Sequence, residues 1–101
     1  MSYPDFDSKS AALYQRARKV LPDGNSRTTI AIKPYPIYLA QASGAEVIDV
    51  DNNHYIDFNN NYTSLLLGHA FEPVQNAVKA QLQKGTACSF TTELEIELAE
   101  L

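Results

Sequence analysis

Apolar and polar positions follow two different rhythms along this chain. Between Ile37 and Phe58 the apolar residues come in short runs: Ile37-Tyr38-Leu39-Ala40, Val47-Ile48-Asp49-Val50-Asp51 and Tyr55-Ile56-Asp57-Phe58. Such runs, rich in β-branched and aromatic side chains, read as strands. Ser43–Gly44 punctuates the first pair and Asn52–Asn53 the second. Asn tolerates positive φ better than any residue except Gly, so Asn52–Asn53 predicts a primed hairpin turn. Three successive short strands joined in this way make an antiparallel meander.

On either side the period lengthens toward that of a helix. Asp7 or Ser8 can cap a helix from about Lys9 to Leu21, with Leu13, Ala17 and Val20 on one stripe. Arg16, Arg18 and Lys19 fall late in it, where cations suit the helix dipole, and Pro22 and Gly24 stop it. Past Gly68–His69, Pro73 suits the first turn of a helix that carries Val74, Ala77, Val78 and Leu82 on one face. Gly85 then serves as its C-terminal cap. Thr92 and Glu95 have the spacing of a capping box and open a last helix with Leu94, Leu98 and Leu101. That pattern has no closing signal, so the chain is expected to be the N-terminal part of a longer protein. Residues 1–7 read as a loose, flexible arm.

Composition narrows the function without naming it. The 101 residues are 45% hydrophobic, ordinary for one small globular domain. A net charge of −4 argues against nucleic acid as a partner, because no basic face is available for phosphates. No apolar run approaches a membrane span, and Met1-Ser2-Tyr3-Pro4-Asp5 lacks the features of a signal peptide. One cysteine, Cys88, cannot form an internal disulfide, which suits a reducing cytoplasm. It reads as a small semi-buried residue and not as a nucleophile.

Two polar stretches are candidates for a site. Arg27 stands alone among Asp23-Gly24-Asn25-Ser26 and Thr28-Thr29, where a guanidinium can fork onto a carboxylate or can simply be a solvated turn residue. Asn59-Asn60-Asn61-Tyr62-Thr63-Ser64 is a dense hydrogen-bonding set directly after a strand. His54 and His69 belong to no metal-ligand spacing, and there is no phosphate loop, nucleophile elbow or HExxH motif. Asp49, Asp51 and Asp57 lie around a hairpin tip, a poor place for carboxylates to share a cleft. Composition and spacing support only the N-terminal part of a soluble α+β protein.

An ordered set of short motifs adds to this. Pro22-Asp23-Gly24-Asn25-Ser26-Arg27-Thr28-Thr29, Pro34-Tyr35-Pro36, Gly44-Ala45, Asp49-Val50-Asp51, Tyr55-Ile56-Asp57-Phe58, Asn60-Asn61-Tyr62-Thr63-Ser64, Gly68-His69-Ala70 and Thr92-Glu93-Leu94-Glu95 occur in register. The chain from about Lys9 onward resembles the start of a class III (subgroup II) pyridoxal-phosphate aminotransferase. Within that class it is most similar to the glutamate-1-semialdehyde 2,1-aminomutase subgroup, with its β-amino-acid aminotransferase relatives.

The resemblance implies the α+β N-terminal segment of a fold-type I transferase: a helix, a three-stranded antiparallel meander and two helices. It implies 8–71 as the helix and meander of the small domain, and 72–101 as helices leading into a large cofactor-binding domain. It further implies a homodimer with pyridoxal 5'-phosphate held on a lysine, acting on a small-molecule amino substrate. Amino transfer would pass through an aldimine and a ketimine, the cofactor ring serving as electron sink. Arg27 resembles the arginine that grips the substrate carboxylate in the β-amino-acid branch, with Ser26 beside it. Tyr62 resembles the aromatic that lines the substrate pocket. Aminomutases proper place their carboxylate arginine three residues later, where this chain has Ile30, which favours a transaminase. Asn52 in the hairpin and Phe71-Glu72-Pro73 are milder departures. The family's catalytic lysine and phosphate loop lie beyond Leu101, so no catalytic or cofactor-binding residue is expected here, and residues 1–101 alone should be inactive. A racemase or epimerase on the same fold, or a non-catalytic partner-binding module, are the competing readings.

Overall fold

A computed structural model describes residues 3–101. The chain divides into two compact units, Met1–Ala70 and Phe71–Leu101.

The first unit opens with helix α1 (Lys9–Ala17). Its first N–H groups, which have no partner within a helix, all find acceptors. The Ser8 hydroxyl accepts from Ala11 at 3.2 Å. Asp51, from the far end of the hairpin, accepts from Lys9 at 2.8 Å and from Ser10 at 3.1 Å. The helix is shorter than its pattern predicts. After Ala17 the backbone tightens, with Lys19 N–H on the Arg16 carbonyl and Val20 N–H on the Ala17 carbonyl, both at 3.1 Å. The buried face is Ser10, Ala11 and Ala17, and Val20 is 79% exposed. Gly24 closes the 3₁₀ turn Pro22–Gly24 that follows. At φ +71° it lies against Tyr14 so closely that a Cβ there would sit 2.6 Å from the ring.

Residues 3–7 do not behave as a loose arm. Tyr35 is buried, its hydroxyl donates to the Asp5 carbonyl at 2.7 Å, and it accepts from the Asp5 N–H at 2.6 Å. The Tyr3 and Phe6 rings pack edge-on against it, with centroids 5.1 and 5.9 Å away. An aromatic residue with a polar tip can hold a segment by both ends, which a pattern read along the sequence does not reveal.

Strands β1 (Leu39–Ser43), β2 (Glu46–Asp49) and β3 (His54–Ile56) form the expected antiparallel sheet in the order β1-β2-β3. Val47 faces Ala42 on one side and Tyr55 on the other. The β2–β3 turn differs from the primed turn predicted at Asn52–Asn53. The Asn52 N–H reaches the Asp49 carbonyl and the Asp49 N–H reaches the Asn53 carbonyl, both at 3.0 Å. Of the two asparagines, Asn52 alone has positive φ, at 66°. The loop is therefore Val50-Asp51-Asn52, a three-residue hairpin closed by a left-handed residue. The buried Asp49 carboxylate pulls it over, accepting the Asp51 N–H at 2.9 Å, the Asn53 N–H at 2.8 Å and the Asn53 amide at 2.9 Å.

After β3 comes one turn of helix, α2 (Asn60–Thr63), wound in the unusual hand. Asn60, Asn61, Tyr62 and Thr63 have φ of 56°, 49°, 56° and 69°. Each such residue costs roughly 1–2 kcal/mol relative to the right-handed form.

In the second unit, α3 (Glu72–Leu82) starts with Pro73 in its first turn, and α4 (Glu93–Glu100) starts at Thr92. The Thr92 N–H donates to the Glu95 carboxylate at 3.1 Å, the arm of the expected capping box. No residue of this unit is buried. Val74, Leu94 and Leu98 are 49%, 49% and 73% exposed. Cys88, expected to be semi-buried, is exposed for the same reason. Among the described residues no helix is long and apolar enough to cross a membrane.

Candidate functional site

Among the described residues of the first unit, two cavities stand out. The smaller, about 280 Å³, is lined by Tyr35, Tyr55, Asp49 and Asp51 among others. Its charged groups are committed to the fold. Burial would push the Asp49 carboxyl up, but hydrogen bonds from Asn53, Tyr55 and the Asp51 N–H outweigh it and hold the carboxyl below its ordinary value. Burial and the bond to Asp49 push the Tyr55 phenol up to about 12. Asp51, bonded to the Lys9 and Ser10 N–H groups, is likewise held below the usual carboxylate range.

The larger cavity measures about 580 Å³ and brings together the residues singled out from the sequence. Ser26, Arg27 and Tyr62 all line it, with Ile30, Ile32, Ile37, Leu39 and Val47 forming apolar wall. This is the size and character of a small-molecule pocket: mostly apolar, with a few polar groups converging. Arg27 is extended (φ −158°, ψ 150°) and precedes the 3₁₀ turn Thr28–Ile30. Its guanidinium makes no ion pair among the described residues. Tyr62 reaches across from α2, where its hydroxyl donates to the Thr29 carbonyl at 2.9 Å. A residue 33 positions away in sequence thus closes on the Arg27 loop.

Asp57 and His69 stand on the same wall, and neither was singled out from the sequence. One Asp57 carboxylate oxygen accepts the Asn59 and Asn60 N–H groups, both at 2.9 Å. The other meets His69 Nε2 at 2.6 Å. A carboxylate only accepts, so this nitrogen carries the proton. The Asn60 N–H and His69 hold the Asp57 carboxyl below its ordinary value. His69 is fixed in turn by paired bonds with Gly44, N–H to carbonyl at 2.8 Å in both directions. The signal in the sequence was Asp57-Phe58-Asn59-Asn60, an Asx-turn pattern at a strand end. Its partner His69 is twelve residues further on and could not be assigned from spacing. His54 is a surface residue, paired with Glu46 across the sheet at 2.9 Å.

Among the described residues that line this cavity there is no lysine, and Arg27 is the one arginine. A pyridoxal-phosphate site needs an amine for the cofactor aldehyde and a cradle for the phosphate. These residues do not make up a cofactor anchor. Among the described residues no His, Cys, Asp and Glu grouping could hold a metal ion.

The family description for class-III aminotransferases matches residues 29–101. The chain is 44% identical over 92 residues to glutamate-1-semialdehyde 2,1-aminomutase of Methanosarcina acetivorans, covering 91% of this chain and 22% of that protein. Among solved structures, an omega-transaminase from Sphaerobacter thermophilus is 48% identical with a TM-score of 0.93, over 97% of this chain and 22% of that one. A transaminase solved with pyridoxal phosphate bound is 49% identical with a TM-score of 0.88, over 91% of this chain and 22% of that one. The chain therefore spans about a fifth of the length of the proteins it matches.

Proposed function

The chain belongs to the class-III aminotransferases, and from that premise we propose that it is the N-terminal part of a pyridoxal-phosphate-dependent aminotransferase, in which Arg27 holds the substrate carboxylate. The observation that carries this reading is Arg27 itself. Among the described residues it is a cation without an ion pair, on the wall of a cavity of about 580 Å³ whose other lining is largely apolar. A planar fork in such surroundings suits a carboxylate, which it can meet with two parallel hydrogen bonds. Ser26 offers a hydroxyl next to it, and Tyr62 lays an aromatic face along the same wall.

The relatives carry two kinds of name, an aminomutase and transaminases, at similar identity. Ile30 favours the transaminase. The aminomutase branch places its carboxylate arginine at this position, and here an apolar side chain lines the cavity. The substrate that fits is an amino acid with a carboxylate at one end and an apolar side chain at the other.

When bound, the cofactor supplies the electron sink for amino transfer. The chain's own share is binding and orientation. Arg27 fixes one end of the substrate, the apolar wall excludes water from the other, and the reacting carbon is held in one position between them. We place the whole protein in the cytoplasm as a homodimer, with neither nucleic acid nor membrane as partner. Over these 101 residues, the net charge of −4 is in keeping with no nucleic acid and the single cysteine with a reducing compartment. The test is steady-state kinetics of the whole protein with Arg27 substituted, using an amino acid and the matching amine without its carboxylate. Losses confined to the acid support the reading, and equal losses on both overturn it.

A further inference from the structure

We propose that Asp57 is the positioning residue for Tyr62: clamped by His69, it holds the left-handed turn that delivers the Tyr62 phenol to the cavity wall. This inference rests on the reading of that cavity as the substrate site.

Four successive residues at positive φ are not a conformation that the chain adopts without support. Thr63 is β-branched at φ 69°, and Tyr62 is bulky at φ 56°. Such strain persists only where the surroundings over-determine it, and it gathers where a side chain must be aimed. The support here begins at Asp57. Its carboxylate takes up the N–H groups of Asn59 and Asn60, the two that open the turn. Asn59 in turn accepts the Tyr62 N–H on its side-chain oxygen at 2.8 Å. The turn ends with Asn61 donating to the Ser64 hydroxyl at 2.9 Å. Tyr62 then reaches the Thr29 carbonyl.

Asp57 can act as an anchor because its remaining oxygen is tied to His69, whose backbone is paired with Gly44. The anchor thus stands on the turn that joins β1 to β2, while the load stands on a strained loop. Asp57 and His69 are part-buried, with side chains 15% and 20% exposed. Without Asp57, two opening N–H groups lose a charged acceptor, and the turn is free to relax toward the right-handed form. Tyr62 would then leave Thr29.

The experiment is a double-mutant cycle on kcat/KM in the whole, cofactor-loaded protein, paired with crystal structures of the variants. Asp57→Ala is expected to lower kcat/KM roughly tenfold in the wild-type background, with the loss in KM, and less than twofold when Tyr62 is already Ala. Equal losses in both backgrounds mean that Asp57 does not act through Tyr62, and the proposal falls. The structure of Asp57→Ala is a readout that does not depend on which substrate the cavity takes. Tyr62 displaced from the Thr29 carbonyl supports the proposal, and Tyr62 still bonded there overturns it. If Arg27 variants fail to separate acid from amine while this displacement is seen, the substrate reading fails and the positioning role stands. Should Asp57→Ala not accumulate as folded protein, the same cycle is run with Asp57→Asn, which keeps the shape but removes the charge. Non-additivity with Tyr62→Ala again supports the proposal, and additivity again overturns it.

Discussion

The Tyr62 hydroxyl donates to the Thr29 carbonyl at 2.9 Å, joining the turn after the hairpin to the loop that carries Arg27. Each of these segments is polar and irregular. Together they place an aromatic face and a guanidinium on one cavity wall, opposite apolar residues from the sheet. On the proposed reading, the pair is what would recognise both ends of an amino acid.

Removing Arg27 should therefore act on one substrate class. Arg27 is exposed in this chain, so the substrate itself must cover it; loss of one partner of the pair thus desolvated costs about 2–5 kcal/mol, or roughly 30- to several-thousand-fold in kcat/KM. Arg27→Ala should show this loss with the amino acid and leave the amine nearly untouched. Arg27→Lys should recover only part of it, because an ammonium cannot make the planar two-point contact. The comparison of both variants with both substrates decides the matter.

Stability should fall at both ends of the pH scale through the Asp49 carboxylate and the donors gathered on it, Asn53 and Tyr55 among them. The Tyr55 hydroxyl donates to the Asp49 carboxylate at 2.9 Å. Asp49 is held below its ordinary 3.8 in the folded chain, so its contribution is present above that value and is lost as pH falls through the lower folded pKa. Tyr55 is raised from 10.0 to about 12, so its contribution is present below pH 10 and is lost as pH rises from there toward 12. Urea unfolding across the pH range should show both limbs. Tyr55→Phe should flatten the alkaline limb, and Asp49→Asn should flatten the acid one.

Gly68 should resist substitution. It has φ +77°, and a Cβ there would lie 2.9 Å from the Gly44 carbonyl oxygen, the acceptor for His69. Gly68→Ala must move that carbonyl or the backbone, at a cost of about 1–3 kcal/mol, and it should loosen the His69–Asp57 contact as well. Gly85, also at positive φ but with open space around it, provides the control. Thermal melts of the two alanine variants should differ, with Gly68→Ala the lower.

The 101-residue polypeptide on its own should self-associate. Val78, Leu82 and Ile96 are 52%, 60% and 61% exposed, on helices that bury nothing. Apolar stripes of that extent find partners in water. Sedimentation velocity should show concentration-dependent association, and replacing Val78 and Leu82 with glutamine should reduce it. A wild-type chain that stays monomeric across micromolar concentrations would refute this.

What the sequence determined by itself was local. The short β-branched and aromatic runs between Ile37 and Phe58, against the helical spacing after Pro73, were enough for three antiparallel strands followed by helices, because run composition and helical spacing are properties of neighbouring residues. The motif order from Pro22 to Glu95 was enough for the family, and Arg27 was conspicuous as a cation alone among small polar side chains. The tertiary structure decided whatever depends on partners distant in sequence. Asp51 looked like a hairpin-tip carboxylate and is the cap of α1, 42 residues before it. His69 belonged to no metal-ligand spacing, and it clamps Asp57. Residues 3–7 looked loose and close around Tyr35, whose two-ended grip needs a neighbour some thirty positions away. Even the hand of the Asn60–Thr63 turn lay outside local propensity. Left-handed backbone is unfavourable for Tyr and Thr, and hydrogen bonds gathered from Asp57, Asn59 and Thr29 offset that cost only once the chain has folded.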